Sequence, residues 1–268
     1  MTSYESLRDW LKFYPIKGVL QYPNGYIEVV RVSRETMNRQ STNGKREKIM
    51  EFSDKSRREM LFTLHKLDVK WISFITLTYP RDFPVNGEAV KRDLNYWLTK
   101  YRRYWRNNGL EARYFWFLEF QERGAPHYHI ITDKPDYRDR NRQFEAIWWA
   151  KRVSAHVYTG EPDTMVFSLQ EQVNVYKVHY HQKAFQPIRE ENGAIKYAAK
   201  YAYKAKQKIV PSDYENVGRF WGVSRNCPEH KPEWIELNED GLRQHLKHIG
   251  HAAAEWEFVP KSLFGAQG

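Results

Sequence analysis

The run Tyr114-Phe115-Trp116-Phe117-Leu118 leads into Glu119-Phe120-Gln121-Glu122-Arg123-Gly124-Ala125-Pro126-His127-Tyr128-His129 and then Ile130-Ile131-Thr132. Few local structures accommodate it. Aromatic and β-branched residues crowd both flanks, which favours strands. Arg123-Gly124-Ala125-Pro126 supplies the breakers of a loop between them. Strand side chains alternate faces, so His127 and His129 point one way and Tyr128 the other. If the two strands pair as a hairpin, Glu119 arrives on the histidine face. One carboxylate and two imidazoles then converge on one point. That donor set suits a divalent cation and leaves positions open for water or phosphate.

The same triplet recurs as His179-Tyr180-His181, within the stretch from Val173 to His181. A pair of histidines on a strand is often no more than two satisfied, half-buried side chains, and the second copy shows how readily the pattern arises. The first copy differs in its surroundings: a carboxylate upstream, a tight loop, and an apolar strand on each side.

Charge points to a class of partner. Forty-three Lys and Arg against 33 Asp and Glu give +10, and 16% of residues are aromatic. Cations meet phosphates and rings stack on bases, so this balance suits single-stranded nucleic acid. The single cysteine, Cys227, has no internal partner and fits a reducing cytoplasm. The opening residues lack the basic-then-apolar form of a signal peptide, and no apolar run approaches the ~18 residues that span a membrane. A cytoplasmic protein without a membrane partner is expected. No solenoid repeat or low-complexity block interrupts the chain.

Several elements are legible in order. Residues 25–32 read as a short strand, and Ser53 as the N-cap of a helix reaching about Leu67, with Met60, Leu61 and Leu64 on one stripe. Residues 71–79 form the clearest strand, Thr76 and Thr78 on one face, Ile75, Leu77 and Tyr79 on the other. Pro80 and Pro84 end it. A helix over about 87–107 carries Val90, Leu94, Trp97, Leu98, Tyr101 and Trp105 at helical spacing, a core stripe, and Asn108-Gly109 closes it. A shorter helix is predicted near 142–153. Residues 154–192 read as strand, loop and strand. A helix over 238–256 would space His245, His248 and His251 by three, most simply as solvated histidines.

The second chemical stretch is Gly193 to Lys208, whose alanines and spacing make a good helix. At 100° per residue, Tyr197, Lys200, Tyr201, Lys204 and Lys208 fall in one arc and Ile195, Ala198, Ala202 and Ala205 in another. The small apolar arc can press against a sheet while the other presents phenols among ammonium groups. A phenol with a pKa of about 10 attacks poorly at neutral pH. Neighbouring lysines favour the phenolate and can bind a phosphate under attack.

Taken together, Phe74-Ile75-Thr76-Leu77-Thr78-Tyr79, Gly124-Ala125-Pro126-His127-Tyr128-His129 and Tyr197-Ala198-Ala199-Lys200-Tyr201 resemble the three ordered motifs of HUH endonucleases. The likeness is closest to the rolling-circle replication initiators of plasmids and of small or filamentous phages, and it covers roughly residues 70–225. It implies an α+β fold, a central antiparallel sheet of about five strands flanked by helices, of RRM-like type. Residues 218–223 would supply a later strand. It implies that His127 and His129 bind Mg²⁺ or Mn²⁺ with Glu119 as third ligand, Glu122 being near enough to compete.

The resemblance also implies a tyrosine nucleophile. Two tyrosines four apart resemble the isometric-phage initiators, so Tyr197 and Tyr201 both match, with Lys200 between them. Both are expected to act. If one acts alone it is Tyr201, with Lys200 and Lys204 on either side along the arc. Lys204, Lys208 and Arg123 are then candidate DNA contacts. The implied reaction nicks single-stranded origin DNA, carried in a hairpin, leaves a 5′-phosphotyrosine and a free 3′-OH, and later rejoins the strand. The chain has no Gly-x-x-x-x-Gly-Lys-Ser/Thr loop, so unwinding and extension call for a separate host helicase and polymerase. A transposase or relaxase of the same fold is the near alternative, although relaxases usually carry the tyrosine ahead of the histidines. A non-catalytic single-strand binder is the distant one. The domain reading is an N-terminal extension over 1–52, an endonuclease domain over 53–226 and a tail over 227–268.

Overall fold

A computed structural model describes residues 16–31, 49–135, 139–154, 169–180, 184–190, 193–203 and 209–236, with the backbone alone at 16–17, 29–31, 139–140 and 201–203. The elements run β1 (Ile16–Gln21), β2 (Ile27–Arg31), α1 (Asp54–Lys66), β3 (Ser73–Thr78), α2 (Gly87–Asn107), β4 (Tyr114–Phe120), β5 (Pro126–Thr132), α3 (Asp139–Val153), α4 (Leu169–Tyr180), β6 (Phe185–Pro187), α5 (Gly193–Tyr203), β7 (Trp221–Val223) and β8 (Glu233–Glu236). Residues 1–45 with 230–268 make one compact unit, and residues 46–229 make another.

In the smaller unit, β1 pairs antiparallel with β2 on one edge and β8 on the other. A Cβ at Gly18 would stand 2.5 Å from the Trp234 ring. Only glycine lets the indole lie against the strand there. The predicted helix over 238–256, with its three histidines, lies outside the described residues.

The larger unit is built on the antiparallel sheet β6-β3-β5-β4-β7. This is the expected α+β architecture, five strands flanked by helices. Ser53 caps α1 through its side chain, which accepts from Ser56 N, and Asn86 caps α2 by accepting from Glu88 N and Ala89 N. The stripe Val90, Leu94, Trp97, Leu98, Tyr101 and Trp105 is buried, as its spacing predicts. It packs on one sheet face with α3: Tyr101 Oη meets Thr132 Oγ1 at 2.8 Å, and Trp97 Nε1 donates to Glu145 O at 3.1 Å. Large rings dominate this layer, each burying roughly 150–250 Å². The opposite face carries Phe74, Phe115 and Phe117 and receives α1 and α5, with Tyr197 of α5 stacked on Phe74 and Trp221 stacked on Phe115 while donating to Ser56 Oγ. No described helix is long and apolar enough to cross a membrane.

Residues 154–192 depart from expectation. The segment read as strand is helix α4, and β6 is only three residues long. Val173, Val175, Tyr176, Val178 and Tyr180 are strand-type residues by composition, which misleads. The burial is helical: Val175 and His179, four apart, turn inward. His179 is therefore no partner for His181 on a strand, and His181 lies outside the described residues.

His179 finishes the edge of β3. Strand β6 covers only Ser73 to Ile75, and Thr76 N donates to Ala184 O. Thr78 N donates instead to His179 Nε2 at 2.9 Å, and His179 Nδ1 donates to Val175 O at 2.7 Å. That tautomer follows from the network, since Nε2 must accept from an amide. Burial holds the imidazole pKa down from 6.5 to about 4, against the opposing pull of Val175 O. The unfolded chain then binds the extra proton between these values, so the stability from neutral His179 is present above pH 6.5 and is lost as pH falls toward 4. His65 is shifted in the same direction, so a difference measurement isolates His179. Between pH 7 and pH 5, His179→Gln should lose about 2 kcal/mol less stability than the unsubstituted chain, measured by urea unfolding. Equal losses would show that His179 is not buried neutral.

Candidate metal and nucleophile site

The hairpin of β4 and β5 turns through Gln121 to Gly124. Gly124 N donates to Gln121 O, Gln121 N donates to Ala125 O, and Gly124 adopts φ 80°, a left-handed backbone that glycine takes without strain. The resulting register sets Glu119 opposite His127 and Phe117 opposite His129. On the other side of β5, Thr78 lies opposite His127 and Thr76 opposite His129. Residues 117, 119, 127 and 129 therefore share a face, and Tyr128 points into the opposite layer, where it is fully buried against Trp116.

The expected convergence occurs. Glu119, His127 and His129 each present a ligand atom, all within 4.8 Å of one another. Glu119 Oε1 is 3.0 Å from His129 Nε2. Glu119 and His129 are 7% and 2% exposed, and His127 is half-buried. A buried carboxylate against two imidazoles is costly unless a positive charge sits among them. The donor set of one carboxylate oxygen and two ring nitrogens, open on one side, fits a divalent cation.

Each histidine is held by a hydroxyl on Nδ1. Thr78 Oγ1 lies 3.0 Å from His127 Nδ1, and Tyr197 Oη lies 3.1 Å from His129 Nδ1. The Nε2 atoms are thereby left for the cation, an arrangement that fixes ring orientation. Thr78 is itself fixed at three points, because its N–H meets His179 and its C=O accepts from Trp149 Nε1 at 2.8 Å. The His129 ring stacks on Phe117 at 4.9 Å. Residue types alone do not reveal Thr78, Trp149 or His179 as supports of the site. The even-numbered spacing of Thr76 and Thr78 was the only available signal.

On α5, Ala194, Ala198 and Ala199 are buried and Lys200 is exposed, while Tyr197 is half-buried with its ring stacked on Phe74 at 3.9 Å. The phenol and alanine arcs are therefore not separated as the helical wheel suggested: Tyr197 turns to the sheet together with the alanines. Tyr201 lies one turn further along α5, and Lys204 and Lys208 fall outside the described residues. Arg123 spends its fork on the chain itself, Nη2 donating to Tyr79 O, Nη1 to Pro80 O and Arg81 O, and Nε to Gln121 Oε1. It ties the hairpin turn to the loop after β3.

Glu122 sits in the exposed turn, outside the cluster. Glu119→Ala should weaken Mn²⁺ binding by about 100-fold, at the upper end of what even outer-sphere partners carry, and Glu122→Ala should leave it nearly unchanged. Isothermal titration of Mn²⁺ into both variants checks this, and equal affinities would remove Glu119 from the ligand set.

Comparison with known proteins agrees with this geometry. The family described as Replication-associated protein ORF2 matches residues 72–206, which span β3, the histidine hairpin and α5, just over half of the chain. Neither a curated protein nor a solved structure matches. The chain belongs to this family of replication-associated proteins.

Proposed function

We propose that the chain is a rolling-circle replication initiator that nicks single-stranded origin DNA and remains joined to it through a 5′-phosphotyrosine. One observation carries this reading: a phenol on α5 bonds the same histidine that faces a buried carboxylate beside a second histidine. A non-catalytic single-strand binder would account for the charge and the aromatic content. It gives no reason to bury Glu119 between imidazoles. A transposase or relaxase would share the site, and the family match to replication-associated proteins favours the initiator.

The reaction exchanges one P–O bond for another. A tyrosine oxygen attacks phosphorus, the P–O3′ bond breaks, and the proton lost by the phenol is matched by one gained at the 3′ oxygen. The free 3′-OH then primes synthesis, and the reverse exchange rejoins the strand. Held by Glu119, His127 and His129, a divalent cation, Mg²⁺ or Mn²⁺, supplies Lewis-acid stabilisation of charge on the phosphate oxygens. Tyr197 and Tyr201 are the candidate nucleophiles. Exposed Lys200 between them favours a phenolate and attracts the phosphate. Lys204, Lys208 and the outer face of Arg123 are proposed DNA contacts in a chain carrying +10. Unwinding and extension fall to a separate host helicase and polymerase.

The test is incubation with Mn²⁺ and a pool of single-stranded oligonucleotides from the replicon, some forming hairpins, followed by denaturing electrophoresis. A covalent protein–DNA adduct is expected. Replacing both His127 and His129 with Ala should lower the adduct rate by about 10³-fold or more while most DNA binding remains. No adduct with any oligonucleotide, or an adduct indifferent to the histidines, would remove the nickase reading.

A further inference from the structure

The two tyrosines of α5 are not equivalent in the fold, and the difference assigns them separate jobs. Tyr197 Oη is on Nδ1 of His129, while Glu119 approaches the same ring at Nε2. The phenol oxygen thus lies across the imidazole from the point where the three ligand atoms converge. His127 carries Thr78 Oγ1 in the matching place. Threonine and tyrosine hydroxyls fill the same role on the two rings. A hydroxyl suits that role because it can donate to Nδ1 or accept from it. With Nε2 bound to a cation, neutral imidazole must carry its proton on Nδ1, and the hydroxyl accepts it.

The direction of α5 settles which tyrosine is nearer the cation side. The helix begins beside Ile188, which pairs with Ile72 at the far end of β3, and a Cβ at Gly193 would stand 2.8 Å from Ile188. Tyr197 stands over Phe74. After α5 the chain reaches Pro211, against Gly124 of the hairpin turn. The helix therefore advances toward the end of the sheet that carries Glu119 and His127. One helical turn moves the chain about 6 Å. Two strand residues, the step from the level of His129 to that of His127, span about 6.8 Å. Tyr201 is the residue carried forward by that step.

We infer that Tyr197 is a positioning residue, which orients His129 for the cation, and that Tyr201 is the sole nucleophile. The inference rests on the nickase reading for the nucleophile but not for the metal. Two measurements separate them. Tyr197→Phe keeps the ring on Phe74 and removes the hydroxyl. It should leave Tm nearly unchanged, weaken Mn²⁺ affinity by about 10–100-fold in titration, and alter the Mn²⁺ electron paramagnetic resonance line shape. It should still form the DNA adduct once Mn²⁺ is raised to saturation. In the unsubstituted chain, trypsin separates Tyr197-Ala198-Ala199-Lys200 from the peptide beginning at Tyr201, so tandem mass spectrometry after nuclease trimming locates the adduct. It should be on Tyr201 alone. An adduct on Tyr197, or unchanged Mn²⁺ affinity and line shape in Tyr197→Phe, would overturn the assignment. Failure of the unsubstituted chain to form any adduct would instead remove the nickase reading, and the Mn²⁺ titration would still decide the role of Tyr197.

Discussion

The antiparallel register of β4 on β5 is the constraint on which the site depends. It sets Glu119 opposite His127, and the register of β5 on β3 sets Thr78 there from the other side. Strand side chains repeat every two residues, so a slip of one would send Glu119 to the far face, into the aromatic layer against α2 and α3. The rings of that layer make such a slip expensive. Tyr128 is fully buried and Trp116 packs edge-on against it, so both would have to exchange places with polar groups. Packing on one face thereby enforces chemistry on the other.

Support for the ligands comes from elements remote in the chain. Thr78 touches His127, but its own amide and carbonyl are fixed by His179 of α4 and Trp149 of α3. Tyr79, one residue on, donates to buried Asp93 of α2, which also pairs with Arg152 of α3. The end of β3 is thus held from α2, α3 and α4 at once. A site that must orient a phosphate within a fraction of an ångström gains from ligands whose backbone cannot drift. Arg123 adds to this by closing the hairpin turn on three carbonyls of the loop after β3.

α5 combines two tasks in a short helix. Its alanines let it approach the sheet closely, and that approach is what allows a tyrosine to reach a histidine on the sheet surface. Bulkier residues at 194 and 198 would lift the helix and break the contact with Nδ1. Exposed Lys200 faces solvent from the same helix, so positive charge and phenol arrive together at a sheet end already lined with ligands.

Periodicity alone determined much of this protein. Alternation put His127 and His129 on one face, the spacing from Val90 to Trp105 marked a core helix, and Ser53 and Asn108-Gly109 marked helix ends. These are local properties, decided by strand and helix geometry within a few residues. Only the tertiary structure decided the rest. Val173 to Tyr180 is strand-like in composition and became a helix, because burying Val175 and His179 together needs a period near four. His179 was legible only as half of a repeated triplet. Its work, capping Thr78, depends on a strand about a hundred residues earlier. The wheel of α5 separated phenols from alanines, but the sheet accepted both, because Phe74 offered Tyr197 a flat surface and His129 offered it a nitrogen. Faces and periods are written in neighbouring residues, whereas a partner across the fold is chosen by which surfaces the packing brings within hydrogen-bond reach.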